Sequence, residues 1–250
     1  MTLQACADIV RKGDPDRFLA AMAAPVSARR ILFPIYAFNV EVARAPWVTQ
    51  EPMIAEMRLQ WWRDVLEEIA EKRDVRKHEV TTELATILSV QAAKLLDDLV
   101  SARRWDIYSD GFEDQGHFDE YLVNTGGKLT VAVARLLAPE LSDRQSDLVS
   151  RFGAAAALAR FLQAVPALEA NGRIPLVDGR TDAVRSLAEQ ALKQLPSVSE
   201  LPRAVRPALL EGWQTKVLLN QVVRNPARVS GGEIGLSEFN KRMRLVAASF

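Results

Sequence analysis

The sequence predicts an all-α protein that folds as one helical bundle. Apolar residues recur at three- and four-residue spacing along much of the chain, which is the spacing of an amphipathic helix. No segment shows strict two-residue alternation bounded by hairpin turns, so we expect no β-sheet. No proline-, serine- or glycine-rich linker and no internal repeat divides the sequence, so we expect residues 1–250 to form a single domain.

Capping residues place the predicted helices in the first part of the chain. Asp14 followed by Pro15 is typical of a helix start. Ser27 precedes an apolar helix that Pro34 is expected to kink. A long amphipathic helix is predicted over residues 50–72, and its apolar stripe consists of Met53, Met57, Trp61, Val65 and Leu66.

The rest of the chain also consists of predicted helices joined by short loops. Glycines and acidic residues indicate loops at 109–117, 171–176 and 230–235. Ser142 and the adjacent Asp143 can cap a helix that continues into an apolar segment, residues 152–168. Since a bilayer span needs about 20 apolar residues, we interpret that segment as a buried core helix. The other predicted helices cover residues 78–104, 118–138, 182–195, 199–220 and 237–248.

Charge and cysteine content argue against several classes of protein. Lysine plus arginine and aspartate plus glutamate both number 32, so the zero net charge gives no support for nucleic-acid binding. The single cysteine, Cys6, cannot form an internal disulfide and fits a reducing compartment. The N-terminal residues carry acids and no long apolar run, unlike a signal or transit peptide. We therefore expect a soluble, cytoplasmic protein.

The motifs of metal, nucleotide and hydrolase sites are missing from the sequence. His78 and His117 are the two histidines, and they have no ligand spacing to each other or to Cys6. The chain has no GxGxxG, GxxxxGK[ST] or GxSxG pattern. We expect no metal, no cofactor and no catalytic residue of these types.

Two groups of carboxylates could in principle bind magnesium. Glu67 and Glu71 have the four-residue spacing that places them on one helix face, with Glu68 between them, and Asp97-Asp98 is a second pair. Basic residues alternate with both groups, so solvated charged faces are the favoured interpretation.

Two further features leave alternatives open. The pair Trp61-Trp62 could line a ligand pocket, but a core role is favoured because Trp61 lies on the apolar stripe. Arg160 stands among alanines and large apolar residues. It either extends from a helix edge to solvent or is paired inside a polar cavity.

Four segments, in the same order along the chain, resemble the squalene/phytoene synthase family. Each match alone is weak, and their common order gives the resemblance its weight. The matching segments are Arg30 with Tyr36-Ala37-Phe38, the RLQWWRD stretch at 58–64, residues 96–106, and residues 153–176 ending in Gly172-Arg173-Ile174-Pro175-Leu176.

This resemblance implies an all-α isoprenoid-synthase-like bundle. Enzymes of the family join two prenyl diphosphates head to head, and two aspartate-rich motifs on facing helices hold magnesium against the leaving diphosphate. None of the corresponding positions here is a carboxylate, so the resemblance implies a protein without catalytic or metal-binding residues. The degenerate positions are Ala43, Arg44, Trp47, Arg160, Ala164 and Leu168.

Around the positions where the carboxylates are replaced, the sequence resembles a non-catalytic branch of the family that acts in assembly of respiratory complex I. The matching stretches are Phe38-Asn39-Val40-Glu41 and Met57-Arg58-Leu59-Gln60-Trp61-Trp62. The implied partners are complex I subunits or assembly intermediates. The implied location is the cytoplasm, with peripheral contact at the inner face of the energy-conserving membrane.

Two other functions stay open. The first is binding of a prenyl lipid or quinone, with Arg44 and Arg160 holding an anionic headgroup in place of magnesium. The second, less favoured, is a working head-to-head transferase that uses the carboxylates at 67, 71, 97 and 98. Residues expected to line a pocket or touch a ligand are Arg30, Tyr36, Phe38, Asn39, Glu41, Arg44, Arg160 and Arg173.

Overall fold

The computed structural model describes residues 3–49, 51–108 and 110–249. This part of the chain contains helices and no strand, which confirms the predicted all-α class. The helices are α1 (Leu3–Gly13), α2 (Pro15–Ala23), α3 (Val26–Arg44), α4 (Pro52–Ala70), α5 (Thr81–Ile87), α6 (Val90–Ala102), α7 (Gln115–Leu122), α8 (Lys128–Leu137), α9 (Asp143–Ala170), α10 (Thr181–Gln194), α11 (Arg206–Leu209), α12 (Thr215–Arg224) and α13 (Glu238–Ser249).

Capping residues start two helices as the sequence predicts. The Asp14 side chain accepts a hydrogen bond from the backbone N–H of Arg17 at 2.9 Å, and Pro15 is the first residue of α2. Ser142 and Gln145 form a reciprocal capping box at the start of α9. Helix α3 begins one residue before Ser27 and continues as one helix through Pro34.

The buried face of α4 differs from the predicted stripe. Met53 and Met57 are 76% and 66% exposed, so the prediction that they belong to the core is wrong. Val65 and Leu66 are buried as predicted, and Trp61 is half-buried. The buried residues of α4 are Ala55, Leu59, Trp62, Val65, Leu66, Glu68 and Ile69. The buried stripe begins at Ala55, because Met53 and Met57 lie on the side of α4 that faces away from the core. The predicted start at Gln50 lies outside the described residues.

Three predicted helices are interrupted. Extended backbone at Leu88 separates α5 from α6, and Ser89 caps α6. A π-helical turn at Val123–Gly127 separates α7 from α8 at the paired glycines. The region predicted as one helix over 199–220 contains short 3₁₀ turns and α11, because its prolines lack the N–H that a continuous helix needs.

The predicted loop at 109–117 ends early, since α7 begins at Gln115, and Ser109 lies outside the described residues.

Two apolar clusters form the core, and α9 contributes to both. The first contains Tyr36 and Phe38 of α3 together with residues of α1, α4, α6 and α8. The second gathers aromatic residues around Phe161 and connects α7, α10 and α12. Helix α9 is long and apolar enough to span a membrane by length and composition, but 56% of its most apolar window is buried inside the fold. This burial agrees with the interpretation of the apolar segment of α9 as a core helix.

Candidate functional site

A cavity of about 400 Å³ lies between the end of α3 and the middle of α9. Ala43 and Trp47 form its α3 side, while Arg160, Ala164 and Leu168 recur along one face of α9. Five of the six degenerate motif positions therefore line one cavity, although they come from segments more than a hundred residues apart. The remaining lining residues are Arg17, Arg103, Asp106, Tyr121, Leu122, Thr125, Gly126, Ala157, Phe161, Ala167 and Asn171.

A second cavity of about 830 Å³ adjoins the first and shares Arg17, Ala43, Trp47 and Arg103 with it. Arg44, the sixth degenerate position, lines this second cavity together with Lys12, Gly13, Asn39, Glu41, His78 and Glu79. Asn39 is buried, and its side-chain oxygen has no hydrogen-bond partner. The two cavities thus share side chains of α2, of the end of α3 and of the short turns that follow α3 and α6.

A buried glutamate organises the polar wall of the first cavity. Glu211 lies in a 3₁₀ turn before α12, and its Oε2 accepts hydrogen bonds from Arg17 Nε at 2.7 Å and from Arg160 Nη1 at 3.1 Å. Its Oε1 accepts from Thr130 Oγ1 at 2.5 Å. Arg160 Nη2 also donates to the Glu211 backbone carbonyl at 2.6 Å. Arg160 is therefore paired inside a polar cavity, which decides between the two alternatives left open by the sequence.

The surroundings of this cluster keep Glu211 and Tyr36 each in one protonation state at neutral pH. Burial alone would raise the pKa of Glu211, but the guanidinium groups of Arg17 and Arg160 outweigh it and hold that pKa below its ordinary value. Burial, reinforced by the charge of Glu211, raises the pKa of the nearby Tyr36. At neutral pH the glutamate is ionised and the tyrosine is protonated, so neither is suited to exchange a proton with a substrate.

A second polar cluster, formed by Arg103, Asp106 and Tyr121, also lines the first cavity. Arg103 Nη1 donates to Asp106 Oδ2 and to the Tyr121 hydroxyl, both at 2.9 Å, and the Tyr121 hydroxyl donates to Asp106 Oδ1 at 2.7 Å. Burial raises the pKa of Tyr121 as well. The arginines of both clusters are therefore paired with acidic partners, since Arg17 also pairs with Asp14 at 3.0 Å.

The remaining predicted pocket residues fall in three places. Arg30 is exposed and lines neither cavity, while Tyr36 and Phe38 are buried behind the α3 wall. Tyr36 lies against the Arg17 guanidinium, and Phe38 packs edge-on against Trp62 at 5.3 Å. Trp62 is thus a core residue, as favoured by the sequence. Arg173 stacks on the Trp47 ring, 4.9 Å from its centroid.

The carboxylate groups on α4 and α6 are occupied by ion pairs. Glu67 and Glu71 are exposed and both pair with Arg73, in accord with the solvated interpretation. Glu68 differs, because it is buried and pairs with Arg76. Asp97 pairs with Arg63 and Asp98 with Lys128. Among the described residues, no group of three or more histidine, cysteine, aspartate or glutamate side chains is placed to hold a metal ion.

Several residues of the site were missed by the sequence analysis. Glu211 and Arg17 lie 194 residues apart and belong to no motif, so no local pattern connects them. Arg103, Asp106 and Tyr121 form their cluster across a loop and two helices. Arg103 and Asp106 both lie in the family-like segment 96–106, and that was the single available signal.

The architecture is that of the isoprenoid-synthase helical bundle. A crystal structure of a dehydrosqualene synthase in complex with ligand superposes with a TM-score of 0.78 at 17% identity, covering 98% of this chain and 94% of that one. Squalene synthase HpnC from Alicyclobacillus acidocaldarius superposes with a TM-score of 0.70 at 16% identity, covering 90% of this chain and 94% of that one. The fold expected from the resemblance is confirmed.

The squalene/phytoene synthase family model matches residues 10–209, so the chain belongs to that family. It is 32% identical over 169 residues to the NADH dehydrogenase (ubiquinone) complex I, assembly factor 6 homolog of Drosophila melanogaster, covering 64% of this chain and 50% of that protein. It is 26% identical over 165 residues to the human complex I assembly factor 6, covering 64% of this chain and 48% of that protein. The chain spans about half the length of these relatives.

Proposed function

We propose that this protein is a non-catalytic member of its family that acts in assembly of respiratory complex I. The carrying observation is that five of the six positions expected to bind magnesium line one cavity, and none of the six is a carboxylate. The assembly role is proposed because the matching relatives are named complex I assembly factors. The partners we propose are complex I subunits or assembly intermediates, at the inner face of the energy-conserving membrane.

The chemistry of the cavity supports the non-catalytic part of the proposal. Departure of diphosphate needs cations that neutralise the developing charge, which magnesium supplies when several carboxylates bind it. Glu211 and Asp106 are the buried acids at this wall, and both are engaged by arginines and hydroxyl groups. Neither is free to bind a metal without breaking an ion pair.

The test is NADH:quinone oxidoreductase activity in membranes from a strain of the source organism that lacks the gene. We expect this activity to fall, to return on complementation with this chain, and the isoprenoid content to stay unchanged. Unchanged complex I activity in the deletion strain would reject the assembly role. Loss of a prenyl product instead would favour the transferase reading.

Binding of an anionic prenyl lipid is a second candidate function, favoured because the first cavity has one wall with arginines and one apolar wall. Arg17, Arg103 and Arg160 lie at one wall, each paired with a buried acid, while Leu122 and Phe161 supply an apolar side. Guanidinium groups bind phosphate oxygens directly, without a metal ion. The Arg160 side chain is 28% exposed, so a ligand can reach it without unfolding the cluster.

A thermal-shift titration with farnesyl diphosphate in EDTA tests this second candidate. We expect stabilisation of the wild type, and loss of that stabilisation in Arg160→Gln. Arg151→Gln is the matched control, because Arg151 is an exposed arginine of the same helix that lies outside the cavity. Stabilisation that requires magnesium, or that survives in Arg160→Gln, would reject direct arginine binding.

A further inference from the structure

Large apolar side chains are exposed on three segments that contact one another. Met53, Met57 and Ile174 are 76%, 66% and 63% exposed, far more than a core role allows. They come from the start of α4 and from the loop that follows α9. Together with three neighbours they make a surface that we call the apolar rim, which consists of Trp47, Met53, Ile54, Met57, Tyr108 and Ile174.

Polar contacts between its segments hold the apolar rim together. Arg173 stacks on the Trp47 ring and donates hydrogen bonds to the backbone carbonyls of Asp106 and Tyr108. The Tyr108 hydroxyl donates to Glu56 Oε1 at 3.2 Å, which connects this segment to α4. Three segments that are distant in sequence are therefore fixed as one surface.

The apolar rim continues into the cavities. Trp47 lines both of them and is 46% exposed, so its ring belongs to the rim and to the cavity walls at once. Exposed Asn171, three residues before Ile174, lines the first cavity. A ligand that reaches the arginine wall past Trp47 therefore crosses the rim.

The charges of the rim segments cancel. Residues 44–58, 103–110 and 171–178 contain five arginines and five acidic residues. Such a surface has no net attraction for an acidic or a basic partner. Trp and Tyr at the edge of an exposed aliphatic patch are the residues that settle at the polar–apolar boundary of a bilayer.

We propose that the apolar rim is the surface by which this protein lies on a lipid bilayer, with its cavity mouth facing the membrane. The proposal rests on the membrane-peripheral location in the proposed function and adds the surface responsible. Binding is driven by insertion of apolar side chains and not by attraction to anionic headgroups. The membrane is favoured over a protein partner because the rim is neutral and opens into a cavity with an apolar side.

A second exposed apolar stripe supplies a matched control. Phe239, Met243 and Val246 recur on α13 at four- and three-residue spacing and are 73%, 56% and 56% exposed. Helix α13 docks on α2 through the Lys241–Asp16 ion pair. The three residues of this stripe match the three rim residues of α4, Met53, Ile54 and Met57, in number and exposure, but they line neither cavity.

Sedimentation with vesicles of neutral phosphatidylcholine tests the proposal. The rim variant Met53→Ser/Ile54→Ser/Met57→Ser is compared with the control variant Phe239→Ser/Met243→Ser/Val246→Ser. We expect the wild type and the control to bind, and the rim variant to partition about tenfold more weakly or worse. High salt should leave wild-type binding unchanged. Unfolding curves check that both variants keep their fold.

Three outcomes would overturn the proposal. They are absence of wild-type binding to neutral vesicles, equal loss of binding in both variants, and binding that needs anionic lipid and disappears in high salt. A rim variant that binds vesicles normally but fails to restore complex I would show that the rim contacts a protein. Vesicle binding through the rim combined with unaltered complex I in the deletion strain would reject the proposed function and leave this inference intact.

Discussion

Arg160 and Glu211 form an ion pair at the wall of the first cavity, and Arg160 occupies one of the positions where a metal-binding residue is expected. Their closest side-chain atoms, Nη1 and Oε2, are 3.1 Å apart, and the same Oε2 is 2.7 Å from Arg17 Nε. The Glu211 side chain is 1% exposed, and this buried carboxylate is shared by two guanidinium groups, of which Arg17 also pairs with Asp14 at 3.0 Å. The pair therefore joins α9, α2 and the turn before α12 at the cavity wall.

Replacing this carboxylate by an amide should destabilise the protein. In Glu211→Gln, Arg17 and Arg160 keep their charge but lose their shared partner, and breaking a buried ion pair costs about 3–5 kcal/mol. Urea unfolding at neutral pH measures the change. Glu67→Gln is the control, because Glu67 is exposed and its ion pair contributes little. Equal stability of Glu211→Gln and wild type would contradict the role assigned to the cluster.

The same carboxylate predicts a dependence of stability on pH. Its pKa in the folded protein lies below the ordinary value of 4.5, so its contribution is complete above that value and is lost as pH falls through the folded-state pKa. Asp14 acts in the same direction, because the charges of Arg17 and Arg160 overcome the effect of burial on its pKa. We expect the urea midpoint to fall between about pH 5 and pH 3 and to fall less in Glu211→Gln. An identical pH profile in both proteins would contradict this assignment.

The fold was largely predictable because its signals are local. Capping at Asp14 and Ser142 depends on residues within three positions, and both caps form as predicted. The stripe of α4 was misplaced because periodicity shows that a helix has an apolar face but not where the neighbouring helices end. Met53 and Met57 follow the helical period, yet among the described residues no element covers them.

The candidate site was only partly predictable because its contacts are non-local. The resemblance to a family indicated the positions at 43, 47, 160, 164 and 168, and the structure places them around one cavity. The acid that neutralises Arg160 could not be found this way, since Glu211 belongs to no matching segment and lies 51 residues further along the chain. Packing brings such a pair of opposite charges together, and residues so far apart in the chain form no recognisable pattern in the sequence.

Close packing at Gly153 predicts a second sensitive position. A Cβ at this residue would lie 2.4 Å from Thr130 Oγ1 and 2.6 Å from the Gly126 carbonyl oxygen. Thr130 is hydrogen-bonded to Glu211, so it cannot move without loosening the buried cluster. Gly153→Ala should therefore lower the free energy of unfolding by about 1–3 kcal/mol, although alanine favours the helix. Gly179→Ala is the control, since nothing lies within 4 Å of the added methyl group. Unchanged stability of Gly153→Ala would contradict the tight approach of α8 and α9.

Arg173 gives the last prediction, because it contacts both the segment that carries Trp47 and the segment that carries Tyr108. Its planar guanidinium stacks on Trp47 and donates to two backbone carbonyls, a geometry that a lysine ammonium cannot reproduce. Arg173→Lys should cost about 1–2 kcal/mol of stability and loosen the 3₁₀ turn at Ala45–Trp47. Hydrogen exchange measured by mass spectrometry should show faster exchange at residues 103–108 and around Trp47, while α13 keeps its wild-type rate. Arg180→Lys is the control, because Arg180 is exposed and pairs with Asp178 in its own loop. Unchanged exchange at both segments in Arg173→Lys would show that the rim is held by apolar packing and not by this arginine.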